Sequence, residues 1–580
     1  MESLTNTNNI LIYAFDNYDD NPSTIDTVTK AVLALLFVTG PGIFILAATL
    51  ISDVVNSLFE SIHSPTPEKK QDKGITIAPA TYKANVHGEN GSKLRQELYQ
   101  ELLKTYKQDL GFNLGEELSV LKSKTKLTQE EALLKEVLTL LDHEKNYSEE
   151  TYLKFTQKTR DLISYCKENE GVNPGVVALS RKIAYAFMTP SIQAFQEKLV
   201  QSYLGEDAPE MTADNFHEVL PARNKAVGKA DSKMKMGFFS SNLAKAIGGL
   251  SLGNYFDSNP PNLRKVETWK SETEEREIYH MRHATPHVGA PFNAAPIDPI
   301  YEAFLEEAKE RGEGVLYACH QRLGDKGLRL EQEGYRADSI VALEEKHPNL
   351  LVLFQSVEND LFKKGATTFA ELKEQLIATF EDKASNTQNR LPSCLMENGQ
   401  INEKYRKKME EILNFVHETF FDKRTKVDLT GEDLYGGLDE SHHTNEAQAF
   451  IMLFYHFQRE HLKFADKTDY EVKYVNTGCK DDFDRGGAQN IASDRVDQTI
   501  LYGNKVPQEA LEATASSVQE PPIHAKGIPV INHRMQPSLF VSRLLATLSK
   551  DQIDKLQARK WGGFSLTGYT AGPNVSLNKQ

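Results

Sequence analysis

The C-terminal half alternates short apolar runs with helical stretches, and that alternation leaves few architectures open. "EIYHM" and "GVLYAC" read as strands, separated by a helix over 299–311. "NLLVLFQS" is a further strand after a short helical piece. Helical period returns at Tyr405, Met409, Ile412 and Val416, and 446–463 reads as a helix apolar on most sides, hence buried. "EVKYVNT" is then a strand entering a tight loop, and 486–501 a helix leaving it. Strands alternating with helices predict an α/β domain, a central sheet with flanking helices.

Upstream, the pattern is helical from 93 to about 204. Leu94, Leu98, Leu102, Tyr106 and Leu110 recur on one face. Thr128 and Glu131 form a capping box ahead of Leu133, Leu134, Val137, Leu138 and Leu141. No catalytic cluster falls here, so this all-helical region reads as a scaffold or docking region. The expected order is a polar tail (1–30), a hydrophobic membrane segment (31–60), a Pro-, Gly-, Lys- and Asn-rich linker (61–92), the helical region (93–220), a catalytic domain (221–545) and a C-terminal tail (546–580).

The membrane expectation rests on "AVLALLFVTGPGIFILAATLI", 31–51, which carries no charge. A helix of about 20 residues spans the roughly 30 Å hydrocarbon core. A signal peptide fits poorly, because the preceding tail is acidic and the apolar part is long. Gly40-Pro41-Gly42 divides the run, leaving a kinked span or a hairpin. Lys69, Lys70 and Lys73 then put the large C-terminal part on the cytosolic side.

Net charge is −15, which argues against nucleic acid as a partner. The four cysteines (Cys166, Cys319, Cys394 and Cys479) form neither a metal spacing nor a disulfide framework, so a reducing compartment is expected and a thiol can serve as nucleophile. His442, His443, His456 and His461 do not make a metal motif: the last pair is spaced i, i+5, and no HExxH occurs.

One loop concentrates chemistry: "YVNTGCKDDFDRGGAQN", 474–490. At a strand–loop–helix junction, backbone N–H groups turn inward and the helix N-terminus adds positive potential. That field stabilises a thiolate. An arginine at the far end can hold two phosphate oxygens with its planar fork. Cys479 and Arg485 occupy these positions, and the plain alternative is an inert cysteine beside a turn whose aspartates cap the helix.

The stretch resembles the signature loop of the Cys-x5-Arg phosphatases. Cys479, Asp481, Asp484 and Arg485 match the C-x-D-x-x-D-R form of Sac-type phosphoinositide phosphatases. Lys480, Asp484 and Arg485 match the C-K-x-x-x-D-R form of bacterial effector inositol phosphatases. The upstream "MRHATPHVGAPFNAAPIDPIYEAF" is similar to a segment found ahead of such loops in secreted effectors of intracellular bacteria.

The resemblance implies a phosphoinositide phosphatase working without cofactor or metal. Cys479 is its nucleophile, Arg485 the phosphate clamp and Asp481 the general acid for the leaving inositol oxygen. Lys480 contacts a ring phosphate, and Asp484 orients the loop or Arg485. Asp482, Phe483 and Gly486 complete the substrate loop, with Arg282 and His283 nearby. Phe483 replaces a second lysine, which points to a singly phosphorylated lipid. Gly486 replaces the usual Thr or Ser, which implies slow turnover or a silent loop. By analogy, the chain is a bacterial protein delivered to a host cell, membrane-associated, with a host protein as candidate partner of the helical region.

Two alternatives stay open. "EIYHMRHATP" also resembles the strand–Arg–His opening of histidine phosphatases, with His283 as nucleophile and His533 as second histidine. The other is a catalytically silent, membrane-anchored phosphate-binding scaffold.

Overall fold

In the computed structural model the described residues are 88–192, 195–198, 200, 210–229, 255–288, 295–321, 323, 333–356, 366–381, 389–421, 425, 445–465, 469–479, 482, 485–521, 532–570 and 576–578. The segment expected at the membrane lies outside them, as does most of the linker. Among the described residues no helix is long and apolar enough to cross a membrane.

Five helices come first: α1 (Gly88–Asp109), α2 (Leu114–Ser123), α3 (Gln129–Asp142), α4 (Glu149–Glu168) and α5 (Pro174–Met188). The Thr128–Glu131 capping box is present at α3, and Asn113 and Ser148 cap α2 and α4 with their side chains. Helix α1 starts at Gly88, inside the expected linker; its first turns are polar, and no apolar period marks the start. After α6 (Phe216–Lys229) come strands β1 (Asn262–Lys270) and β2 (Glu275–Arg282), then α7 (Pro299–Glu310), β3 (Glu313–Cys319), α8 (Glu333–Lys346) and β4 (Leu350–Phe354). Helix α9 (Phe369–Ala378) and a small hairpin, β5 (Met396–Glu397) with β6 (Gln400–Ile401), lead to α10 (Glu403–Phe420) and α11 (Asn445–Leu462). The chain closes with β7 (Glu471–Gly478), α12 (Arg485–Tyr502), α13 (Gln508–Pro521), α14 (Asn532–Ala546), α15 (Lys550–Gln557), β8 (Ser565–Thr570) and β9 (Ser576–Asn578).

Apart from the β5–β6 hairpin, the described strands make one mixed sheet in the order β4-β3-β7-β2-β1-β8-β9. β4, β3, β7 and β2 are parallel, while β1, β8 and β9 extend the sheet antiparallel. Parallel pairs need a crossover, usually helical, and α7 and α8 supply two of them. Side chains alternate between the faces. Val315, Tyr317, Cys319 and Val352 join one core with Leu102, Phe155, Phe187, Phe304 and Ile340, so α1, α4, α5, α7 and α8 cover that face. Leu316, Ala318, Leu353 and Val475 join the other, with residues of α9–α12 and α15.

Two boundaries drawn from sequence change. Helices α1–α5 share a continuous core with the sheet, so no domain border falls at 220. The sheet face is apolar and must be covered, and these helices cover it. Residues 546–580 are not a tail either, since β8 pairs with β1 and α15 packs in the core. The described residues belong to one compact unit.

Arg160 on α4 ties the helical layer down. Its Nε donates to Asp298 at 2.8 Å and its Nη2 to Asp257 at 3.1 Å. Asp298 is fully buried and also caps α7 through the Ile300 N–H. Removing one partner of a buried pair leaves the other charge uncompensated. Arg160→Ala should therefore lower unfolding stability by about 3–5 kcal/mol, measured by urea denaturation.

Candidate functional site

Adjacent parallel strands β3 and β7 send their following helices to opposite faces: α8 to one core, α12 to the other. In open α/β sheets this reversal opens a crevice at the carboxyl ends of the strands. The candidate site lies there. β7 ends at Gly478, whose carbonyl accepts the His320 N–H at 2.7 Å, and buried Cys479 follows. Arg485 opens α12 and is buried; its Nη1 donates to the His320 carbonyl at 3.1 Å. The expected strand–cysteine–loop–arginine–helix order is therefore present. Lys480, Asp481, Phe483 and Asp484 lie outside the described residues.

Asp482 sits in the middle of the loop with φ 57°, a left-handed conformation that Asp tolerates better than most residues. It is fully buried. Arg282, at the end of β2, donates from Nε to Asp482 Oδ2 at 3.0 Å and from Nη2 to the Asp482 carbonyl at 2.6 Å. One guanidinium thus holds both side chain and backbone of a residue 200 positions away. Burial pushes the Asp482 carboxyl up to about 7, against the pull of Arg282. Expected from sequence as substrate groups, Arg282 and Asp482 bind each other.

The same lock explains Gly486. A Cβ there would lie 1.7 Å from Asp482 Oδ1 and 2.9 Å from Asp482 Cγ. Any side chain at 486 must push Asp482 off Arg282. Absence of the usual hydroxyl is thus a steric requirement of this loop.

His283 points into an aromatic cage instead. Its ring meets Phe256 edge-on at 5.3 Å, with Tyr301 at 5.6 Å and Tyr317 at 6.2 Å. Nδ1 lies 2.6 Å from the Ala284 carbonyl, and a carbonyl only accepts, so Nδ1 carries the proton. Burial lowers its pKa to about 4. A nucleophile walled in by three rings has no open approach, which disfavours the histidine-phosphatase alternative. His533 has no described side chain.

The carboxyl ends of the parallel strands also bring in residues that sequence reasoning missed. Thr285 and His287 follow β2, His320 and Gln321 follow β3, and Gln355 and Ser356 follow β4; all are buried. Gln321 Nε2 donates to Thr285 Oγ1 at 3.2 Å, and Arg336 Nε donates to Gln321 Oε1 at 2.8 Å. Thr285 Oγ1 meets His287 Nδ1 at 2.7 Å. His320 Nδ1 lies 2.8 Å from the Gln355 carbonyl, so it donates there, and Nε2 has no hydrogen-bond partner among the described residues. Burial, with Arg459 and Arg485 nearby, lowers the His320 pKa to about 3. A signal was available: "CHQ" and "FQS" place polar residues directly after apolar strands. None of the four cysteines forms a disulfide.

Compared with family models, with curated proteins and with solved structures, the chain has no match.

Two measurements check this geometry. Gly486→Ala and Asp482→Gly should each destabilise the fold, and the double variant should cost less than their sum, because both act on the Arg282 pair. A double-mutant cycle in urea reads this out. The unfolded chain binds a proton at His283 near pH 6.5, whereas the folded one resists until about pH 4. Stability is thus full above 6.5 and falls as pH drops through that window. His283→Phe keeps the caged ring and should flatten the fall by about 1.4 kcal/mol per pH unit.

Proposed function

We propose that the chain is a cysteine-dependent phosphoric monoester hydrolase acting on a singly phosphorylated inositol lipid. One observation carries this reading: Cys479 directly follows β7 and Arg485 opens α12, on either side of a short loop at the reversal between β3 and β7. Backbone N–H groups at the start of α12 and the positive helix end favour an anion there. The likeness of the loop to Cys-x5-Arg phosphatases supplies the chemistry.

In the first step the Cys479 thiolate attacks phosphorus, and the bond from phosphorus to the inositol oxygen breaks. Arg485 binds two of the phosphoryl oxygens with its fork, stabilising charge as the centre turns over. Asp481 gives its proton to the departing oxygen. In the second step water attacks the cysteinyl-phosphate, the sulfur–phosphorus bond breaks and inorganic phosphate leaves. No hydroxyl at 486 assists sulfur departure, so this step is expected to be slow. Lys480 and Phe483 set the ring contacts. The run 31–51 would hold the enzyme against its substrate bilayer, with the catalytic part on the cytosolic side, and raise the local lipid concentration. Delivery by a bacterium into a host cell, where a host protein meets the helical region, extends the same analogy.

The test is phosphate release by the full chain from phosphatidylcholine vesicles carrying each phosphatidylinositol monophosphate. Cys479→Ser should lower the rate by about 1000-fold or more while melting as the wild type. Activity that survives in Cys479→Ser and disappears in His283→Phe would move the chemistry to the histidine. Binding without turnover, lost in Arg485→Ala but kept in Cys479→Ser, would make the chain a phosphate-binding scaffold.

A further inference from the structure

Between α11 and α12 lies a second group of chemistry-bearing residues that the proposed reaction does not use. His456 and Glu460 stand four apart on α11, and Asp497 faces them from α12. Four apart on a helix places two side chains on one face. All three are buried, His456 at 1%, Glu460 at 2% and Asp497 at 1% exposure, and their ligand atoms lie within 4.8 Å of one another.

The neighbouring lysines each engage one oxygen of a carboxylate, and Glu460 Oε1 also stands 4.0 Å from His456 Nδ1. Lys265 Nζ holds Asp497 Oδ2 at 2.5 Å, and Lys463 Nζ holds Glu460 Oε1 at 2.6 Å. Among the described residues, Asp497 Oδ1, Glu460 Oε2 and both ring nitrogens of His456 have no hydrogen-bond partner. Leaving such atoms buried and unpaired costs their full desolvation. His456 Nε2 stands 3.5 Å from Asp497 Oδ1. Two ligands of one tetrahedral zinc, with bonds of about 2.0–2.1 Å, stand about 3.3 Å apart.

We propose that His456, Glu460 and Asp497 form a buried site for a divalent first-row transition cation, zinc being the best fit. One imidazole nitrogen and two carboxylate oxygens are a ligand set zinc accepts. Lys265 and Lys463 serve as outer partners that orient the two carboxylates. They also remove excess negative charge. That disfavours calcium and magnesium, which need several anionic oxygens, and leaves ions that gain from an imidazole nitrogen. The site bridges α11 and α12, so a bound ion would stiffen the helix that carries Arg485.

Elemental analysis of the purified full chain should find about one zinc per chain. Stripping with EDTA should lower the melting temperature, and zinc alone should restore it. Cobalt in place of zinc should give the visible absorption of a four-coordinate site. His456→Leu and Asp497→Asn should lose the metal and the EDTA sensitivity. A wild-type chain that takes up neither zinc nor cobalt overturns the proposal. So does a folded His456→Leu variant that keeps a full equivalent. If these variants fail to fold, the wild-type uptake and cobalt spectrum still decide. Cys479→Ser should leave metal content unchanged, which separates this site from the phosphatase reading.

Discussion

Helix α12 has no exposed residue from Arg485 to Leu501, yet half of its side chains are polar. A helix buried all round cannot hand its polar groups to water. A few pair within the helix, as Arg495 Nη1 does with Gln498 Oε1; the others take partners from neighbouring elements, and the architecture follows that demand. β1 brings Arg264 and Lys265 to Asp494 and Asp497. β7 brings Thr477 to Asn490, and α11 brings Arg459 to Ser493. Gln498 Nε2 shares its two hydrogens among the Ala510 carbonyl, Thr514 Oγ1 and Tyr569 Oη of β8, all within 2.9 Å. Phosphate chemistry at the N-terminal end of such a helix would act on a support with little freedom to shift.

The polar interior also shows what could be read in the sequence. β3, β4 and β7 were legible because both faces are buried, which leaves a continuous apolar run. The cysteine loop was legible because a strand, a thiol, an arginine and a helix follow in order. β1 was not. "NLRKVETWK" carries Arg264, Lys265 and Glu267, residues that resemble a wet surface until Asp494, Asp497, His280 and Lys463 are placed around them. A buried ion network has the composition of an exposed face, and only three-dimensional pairing tells them apart.

The loop itself divides the same way. Its ends follow from local order, but the role of Asp482 depends on Arg282, 200 residues earlier at the end of the neighbouring strand β2. Nothing local foretells that pair, and Gly486 made sense only after it. His456 was weighed against His461, its neighbour at i+5, when the partners that matter are Glu460 one turn on and Asp497 from another helix.

The position of β1 sets the order in which this sheet can be completed. One edge of β1 is met early by β2 through a tight hairpin, while the other pairs Val266 with Thr570. Until β8 has left the ribosome, that second edge shows unpaired N–H and C=O groups, a template for other strands. The buried charges of Lys265 and Glu267 likewise wait for α11 and α12. A nascent chain stopped before residue 565 would hold the parallel core but carry an open, highly charged strand. Such an edge pairs poorly with apolar strands, so the charges that serve the finished interior would also guard the unfinished one against aggregation.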